Sequence, residues 1–210
     1  MLVGVFVVDA VLRHPPFILA HLALHPHLAL GREPWQLLTS ALVHVQLGAL
    51  ASSAIAIWLF GSPVEEELGR GRLFAVLLVA TLAGGVASAL VALAITPSAV
   101  VTGADAAAMA SIAAFGVAYG PRRLNLFGLV EMRGSTCAWL FLGLSAIFYL
   151  ADADFVRLAG GVAGAGVGAL VAEGVRLDRI RGLPARFRRW RVRRRYRVIP
   201  GGKDSRGYLN

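Results

Sequence analysis

Residues 58–72 read WLFGSPVEEELGRGR, a charged segment between two long apolar runs. The first run extends from Leu37 to Phe60 and the second from Leu73 to Ile95. Each run reaches the ~20 residues that a helix needs to cross a bilayer. The glycines within the segment give its backbone conformational freedom. The sequence therefore predicts a solvated turn between two transmembrane helices.

The apolar pattern continues in both directions from this turn. Hydrophobic residues make up 57% of the 210-residue chain, charged residues make up 16%, and the mean hydropathy is +0.68. Such long apolar runs exceed what a soluble core of this size uses. We predict an all-α polytopic membrane protein, with a six-helix domain over residues 1–175 and a basic tail over residues 176–210. The six predicted spans are Leu2 to about Ala20, Leu37 to Phe60, Leu73 to Ile95, Val100 to Tyr119, Gly134 to Leu150, and Val156 to Ala172.

Basic residues are unevenly distributed over the predicted connections. Arginines follow spans two, four and six, whereas the other side carries only Arg13, Arg32 and Arg157. Cytoplasmic connections carry the excess of Lys and Arg in membrane proteins. Both termini are therefore expected in the cytoplasm. The heavy use of Ala, Gly and Arg favours a bacterial inner (plasma) membrane.

The tail holds 13 of the 21 basic residues, so the net charge of +9 belongs mainly to this segment. Aromatic residues alternate with its guanidinium groups. This pattern suits an anionic lipid surface, where each basic residue contributes ~1 kcal/mol. We expect the tail to bind anionic lipid headgroups and no specific nucleic acid. The residues expected at that surface are Arg188, Arg189, Trp190, Arg193, Arg194 and Arg195.

Asp105 is the only acidic residue in the fourth apolar run. A carboxylate at a helix centre costs roughly 3 kcal/mol on insertion scales, so it normally faces a protein interior or a watery cavity. Asp105 is therefore predicted to mark a site, where it is hydrogen-bonded to Ser53 or Thr102 or is offered to a polar group of another helix. A pair with Asp9 is an alternative, because two carboxylates that share a proton can activate water.

Spaced residues along these spans resemble the rhomboid family of intramembrane serine proteases, over about residues 2–175. A tryptophan precedes span two, a histidine leads it, a glycine and an acidic residue follow it, and small residues recur in span six at a spacing that allows close helix packing. The resemblance implies a rhomboid-like six-helix bundle. Its structural positions in this chain are Trp35, His44, Gly61, Glu65, Gly69, Gly103, Gly164 and Gly168.

The reacting groups of that family have no counterpart in this sequence. The nucleophile of active members is the serine of a Gly-x-Ser-Gly motif, and residues 103–106 read Gly-Ala-Asp-Ala, which puts Asp105 at the serine position. The position of the base falls on Gly161, and those of the two oxyanion donors fall on Ala49 and Ser53. A serine needs an adjacent base to become nucleophilic, and one lost oxyanion donor already costs ~10²- to 10³-fold in rate. The resemblance therefore implies a pseudoprotease with no intact catalytic residue.

The resemblance also implies a role for such a protein. It would bind transmembrane segments of client proteins in the cleft beside spans two and five and would regulate their stability, traffic or assembly. The candidate client-binding residues are Asp105, Ser53 and Thr102. Two alternatives stay open, which are an intramembrane protease with rearranged catalytic residues and a structural subunit of a membrane complex. No cofactor is expected.

Three histidines lie between the first two spans. His21, His25 and His27 could offer three imidazoles to a zinc ion. The fourth ligand and the supporting partners that such sites need are not evident in the sequence. The resemblance also places these histidines in a loop at the membrane interface. We therefore expect no metal site.

Overall fold

A computed structural model describes residues 16–126 and 130–181, which form mainly helices. Two predictions fall outside the described residues. They concern most of span one, with Asp9, and the basic tail beyond residue 181. The elements in chain order are α1 (Pro16–Leu22), α2 (Pro26–Ala29), α3 (Gln36–Thr39), a 3-10 turn (Ser40–Leu42), α4 (Leu47–Leu68), α5 (Arg70–Ile95), α6 (Asp105–Ala118), β1 (Arg123–Leu126), β2 (Val130–Arg133), α7 (Gly134–Ala151) and α8 (Phe155–Arg181).

Four described helices are long and apolar enough to cross a membrane. They are α4, α5, α7 and the part of α8 that covers Phe155–Val175. The fourth predicted span contains a shorter helix, because residues 100–104 are not helical and α6 has only 14 residues. At 1.5 Å per residue α6 is about 21 Å long, less than the ~30 Å hydrocarbon core. The six-span count is therefore not confirmed within the described part of the chain.

The short helix α6 is the buried helix of the bundle. Every residue from 107 to 115 is buried, and the helix has no polar face. A helix that is apolar on all sides is stable only when neighbours surround it. In this protein α4, α5, α7 and α8 supply those neighbours. The position of α6 explains why its sequence is dominated by alanine, which allows the surrounding backbones to approach.

Glycines on α8 provide its contact with α6. A Cβ atom at Gly164 would overlap the carbonyl group of Ala106, and one at Gly168 would overlap that of Ala110. Small residues let helix backbones approach closely in lipid, where packing replaces the hydrophobic effect as the driving force. The hydroxyl of Ser88 on α5 donates a 3.0 Å hydrogen bond to the carbonyl of Val156, which ties α5 to the start of α8.

Three residues of the expected scaffold lie elsewhere relative to the helices than the sequence predicted. His44 precedes α4 instead of leading it within the helix, because the chain from Val43 to Gln46 is extended between the 3-10 turn and α4. Gly61 and Glu65 lie inside α4 instead of after it. Gly61 is buried, and a Cβ there would lie 3.8 Å from the Ser111 hydroxyl oxygen. Its role is therefore helix packing and not freedom of a turn.

The turn between α4 and α5 consists of Gly69 alone. Its φ of +86° lies in the region that side chains disfavour. Glycine adopts it without steric cost, so the chain can leave one helix and start the next within one residue. The flanking ion pair between Arg70 and Glu65, at 3.7 Å, is largely exposed.

The all-α prediction is wrong at one connection. Between α6 and α7, β1 and β2 form an antiparallel two-stranded sheet in which Arg123 pairs with Arg133 and Leu126 pairs with Val130. Each strand has only four residues. Strand alternation cannot be recognised by hydropathy in so short a segment, which is why the sequence predicted no strand here.

The chain divides into two compact units, Met1–Gly174 and Val175–Asn210. The site described below lies within the first unit. The functional division into a membrane domain over 1–175 and a lipid-binding tail over 176–210 stays a prediction.

Candidate functional site

The chain just before α6 is held by residues 16–46, the segment before α4 that is called the first loop below. The backbones of Leu24 and Val101 exchange hydrogen bonds of 2.9 and 3.0 Å as an isolated antiparallel bridge. The amide of Gly103 donates to the carbonyl of Ser40 at 3.0 Å. Gly103 has a φ of +109°, which a residue with a Cβ rarely adopts. These contacts fix where α6 begins and therefore where its first side chain lies.

His44 completes the start of α6. Its ring is 1% exposed, and its Nε2 accepts a hydrogen bond of 3.3 Å from the amide of Ala104. The first amides of a helix have no partner within the helix, so an outside acceptor stabilises that end. The Nδ1 atom of His44 is buried without a hydrogen-bond partner among the described residues. The histidine therefore acts on the backbone of the site rather than on a serine.

Asp105 is the first residue of α6 and not, as expected, a carboxylate at a helix centre. This difference changes its energetics. The N-terminus of a helix carries a partial positive charge, which stabilises an acidic side chain in the first turn. The cost estimated for a mid-helix carboxylate therefore does not apply here.

A guanidinium group faces Asp105. The Nε atom of Arg157 lies 3.8 Å from one Asp105 oxygen and 3.4 Å from an Asp154 oxygen. Asp154 also accepts a 3.0 Å hydrogen bond from the Arg157 amide, which fixes the first turn of α8. The side chain of Tyr149 on α7 interacts with the same Asp105 carboxylate. Asp105 is thus part of an ionic cluster that joins the starts of α6 and α8 to the end of α7.

The hydrogen bonds that the sequence predicted for Asp105 are absent. Ser53 is 3% exposed and Thr102 is 7% exposed, but neither donates to Asp105 in the described part of the chain. The partners Tyr149 and Arg157, and Asp154, which shares Arg157 with Asp105, were not predicted from the sequence. One signal could have drawn attention to Arg157. It is one of three arginines in the predicted connections on the side that is poor in basic residues.

The position that the resemblance assigns to the catalytic base is filled by neighbours. A Cβ at Gly161 would lie 3.3 Å from Cγ of Met109 and 3.7 Å from Cε2 of Tyr149. Ala49 and Ser53, at the expected oxyanion positions, lie on α4, where Ala49 offers no polar side-chain atom. Among the described residues, the arrangement therefore places an acid, a guanidinium group and a phenol around Asp105.

Two cavities border this cluster. A small one of about 30 Å³ lies between Thr102, Asp105 and Arg157, with room for about one or two water molecules. A large apolar groove of about 540 Å³ lies between α7 and α8 and has α6 as its floor. Tyr149 and Gly161 line the groove, and Gly161 and Arg157 line the small cavity. The groove therefore reaches the immediate neighbourhood of Asp105.

The histidines of the first loop make contacts within that loop. No group of three or more His, Cys, Asp or Glu side chains that could hold a metal occurs among residues 16–126 and 130–181. His21 lies 3.4 Å from a Glu33 oxygen, and His25 lies 3.2 Å from the carbonyl of Ala23. These are contacts within the loop.

Gln36 organises the first loop and was missed by sequence reasoning. Its side chain is fully buried, its oxygen accepts the His25 amide at 2.8 Å, and its nitrogen donates to Glu33 at 2.6 Å. The indole of Trp35 donates to the carbonyl of His21 at 3.1 Å, and Thr39 donates to that of Leu22 at 2.9 Å. The loop that positions α6 is thus held by side chain to backbone hydrogen bonds.

Known proteins resemble this chain over the same region. Residues 31–176 match the family model of the Rhomboid domain. Rhomboid protease GluP of Bacillus subtilis (strain 168) is 38% identical over 56 residues, which are 27% of this chain and 11% of that protein. The match to so small a part of GluP says nothing of the rest of that protein. The four long apolar helices and the family match together make the chain an integral membrane protein. Since the family model covers residues 31–176, which include α4 to α7 and most of α8, this chain belongs to the rhomboid family.

Proposed function

We propose that this protein is a rhomboid-like pseudoprotease. The observation that carries the proposal is the ionic pair of Asp105 with Arg157 at the position where the resemblance puts the nucleophilic serine. A carboxylate in an ion pair is a poor nucleophile toward a peptide carbonyl, and the acyl transfer of the serine-protease type needs an activated serine hydroxyl. Gly161 at the position of the base can accept no proton. The family architecture is therefore present without groups that perform its reaction.

The role that this architecture supports is the binding of transmembrane segments of other membrane proteins. Asp105, Ser53 and Thr102 remain the proposed contacts for a polar group of a client helix. The cleft beside spans two and five, which are α4 and α7 here, stays a prediction. In this structure Phe60 of α4 and Phe141 of α7 meet edge to face with ring centroids 5.0 Å apart, so a client in that cleft would have to pack beside or part these rings.

Asp105→Ala is expected to leave the fold intact and to weaken client capture. The alanine removes both a carboxylate and the partner of Arg157, but Asp154 still pairs with the guanidinium group. The measurement is photo-crosslinking from position 102 in native membranes, with wild-type and Asp105→Ala chains at equal abundance. Unchanged crosslinking in the variant would show that Asp105 does not contribute to client binding.

Absence of proteolysis needs its own measurement. Reconstituted protein should give no turnover of a transmembrane reporter peptide and no labelling by a fluorophosphonate, whereas an active rhomboid protease in the same vesicles should give both. If this chain cleaved the reporter and Asp105→Ala abolished the cleavage, the proposal of a pseudoprotease would be overturned. That result would indicate a rearranged catalytic site.

We also propose that both termini lie in the cytoplasm, at a bacterial inner membrane, and that the tail binds its anionic headgroups. In a Cys137→Ser background, Lys203→Cys should react with a membrane-impermeant maleimide only in inverted vesicles. A peptide of residues 182–210 should bind vesicles that contain phosphatidylglycerol, and replacing Arg193, Arg194 and Arg195 with alanine should release it. Labelling in right-side-out vesicles would reverse the orientation, and equal binding to neutral vesicles would exclude headgroup charge as the cause.

A further inference from the structure

Glycine, alanine and serine make up ten of the seventeen residues that line the large groove between α7 and α8, and larger side chains such as Trp139, Leu142 and Val162 line the rest. Gly143 and Ala146 of α7 and Ala165 and Gly166 of α8 are among the small ones. Its volume of about 540 Å³ is in the usual range of about 300–1,000 Å³ for ligand sites. Walls of glycine and alanine allow a helix backbone to approach closely, which is how transmembrane helices associate in lipid. A flexible acyl chain would not require that the walls be so small.

Acidic residues lie near the groove, at the start of α8, although they do not line it. The chain from α7 to α8 turns there through Asp152, Ala153 and Asp154. With Asp105 these are three carboxylates, and within the described residues Arg157 is the guanidinium group in contact with two of them. Three negative charges against one positive charge leave two in excess. Tyr149 links the two features, because it lines the groove and also interacts with Asp105.

We propose that the groove between α7 and α8 binds a client transmembrane helix that carries a lysine or arginine at the non-cytoplasmic end of its apolar segment. This inference rests on the proposed function, since it names the class of client and the surface that receives it. The apolar segment would fill the groove, and its basic side chain would extend to Asp105, Asp152 and Asp154. Basic residues are depleted on that side of most membrane proteins, so this requirement would select a minority of transmembrane segments.

Two exposed tryptophans allow a matched crosslinking test. Trp139 lies at the groove and is 73% exposed, whereas Trp58 lies on α4 and is 71% exposed. Each is replaced in turn by benzoylphenylalanine, an aromatic residue of similar character. The probe is a synthetic Leu/Ala transmembrane peptide with one terminal lysine, and its partner has glutamine at the same position. Both are reconstituted with the full-length chain in vesicles.

The lysine peptide should crosslink to position 139 about fivefold more than the glutamine peptide, a ratio in the range of a partly exposed ion pair, and neither should prefer position 58. Asp152→Asn with Asp154→Asn should bring the two peptides close to equality. Asparagine can still cap α8 in place of Asp154, so this variant removes charge and keeps the fold.

Filling the groove should remove the crosslink. A Cβ at Gly143 or at Gly166 would meet nothing within 4 Å, so leucine at both positions can direct its side chain into the groove. Gly174→Leu is the matched control, because that glycine is equally open on α8 but does not line the groove. The control should crosslink as the wild type does.

The outcomes separate this inference from the proposed function. Equal crosslinking of both peptides at position 139, or crosslinking at position 58 instead, would overturn the groove proposal and leave client binding standing. A phospholipid adduct at position 139 that the peptides do not compete with would make the groove a lipid site and would also overturn the proposal. No peptide adduct at either position would count against both client binding and the groove.

Discussion

Gly164→Leu is expected to prevent α8 from packing on α6. A side chain at this position would overlap the carbonyl carbon and oxygen of Ala106. These atoms belong to the helix backbone of α6, so they cannot move away as the end of a flexible side chain could. Overpacking of a core costs typically about 1–3 kcal/mol and sometimes more. Because the overlap here is with backbone, we expect the stability of the fold to fall by at least about 3 kcal/mol. The loss should appear as a lower thermal midpoint of the purified protein in detergent.

Gly166→Leu is the control for this prediction. Gly166 is two residues further along the same helix, and a Cβ there meets nothing within 4 Å. Its midpoint should stay near that of the wild type, although it lines the groove. If both variants melted alike, the close contact between α6 and α8 would not be a source of stability.

Arg157→Gln is expected to destabilise the cluster around Asp105. The change leaves two carboxylates without their cationic partner, near the membrane-embedded part of the protein. Removal of one partner from a fully buried ion pair costs about 3–5 kcal/mol. The Arg157 and Asp105 side chains are 39% and 23% exposed, so solvent reduces the effect, and we expect about 1–3 kcal/mol. The free energy of unfolding in a denaturing detergent series measures it.

A double variant tests the cause of that loss. Asp105→Asn in the Arg157→Gln background removes one of the unpaired charges and should restore part of the stability. Arg70→Gln is a control on an ion pair that is largely exposed, with Arg70 93% exposed at 3.7 Å from Glu65, and should change little. A double variant less stable than Arg157→Gln would show that charge is not the reason for the loss.

The sequence predicted the helices of the membrane domain from their length and composition, because a bilayer demands about 20 apolar residues per span. The bounds of α5, α7 and α8 lie close to the predicted spans for that reason. The start of α4 was misplaced by ten residues, since the segment 36–46 is apolar enough to continue a helix but is turned by contacts with the first loop. Hydropathy alone cannot show such contacts.

The site was predictable in part. Asp105 stood out because it is the one acid in its apolar run, and family resemblance showed which reacting groups are replaced at Gly161, Ala49 and Ser53. The partners of Asp105 were not predictable, because Tyr149 and Arg157 lie some fifty residues later and at the ends of two other helices. Their meeting depends on how α7 and α8 pack against α6.

By itself the sequence determined that this chain enters a membrane and resembles the rhomboid family, and it predicted that Asp105 and Gly161 stand where a serine and a histidine would be needed. Those properties depend on residue identity and on spacing along the chain. Only the tertiary structure decided that Asp105 begins a helix, that Arg157 faces it, and that a groove opens between α7 and α8. The physical reason is that charge pairing and cavity shape arise from close packing of distant segments, whose geometry one-dimensional periodicity does not contain.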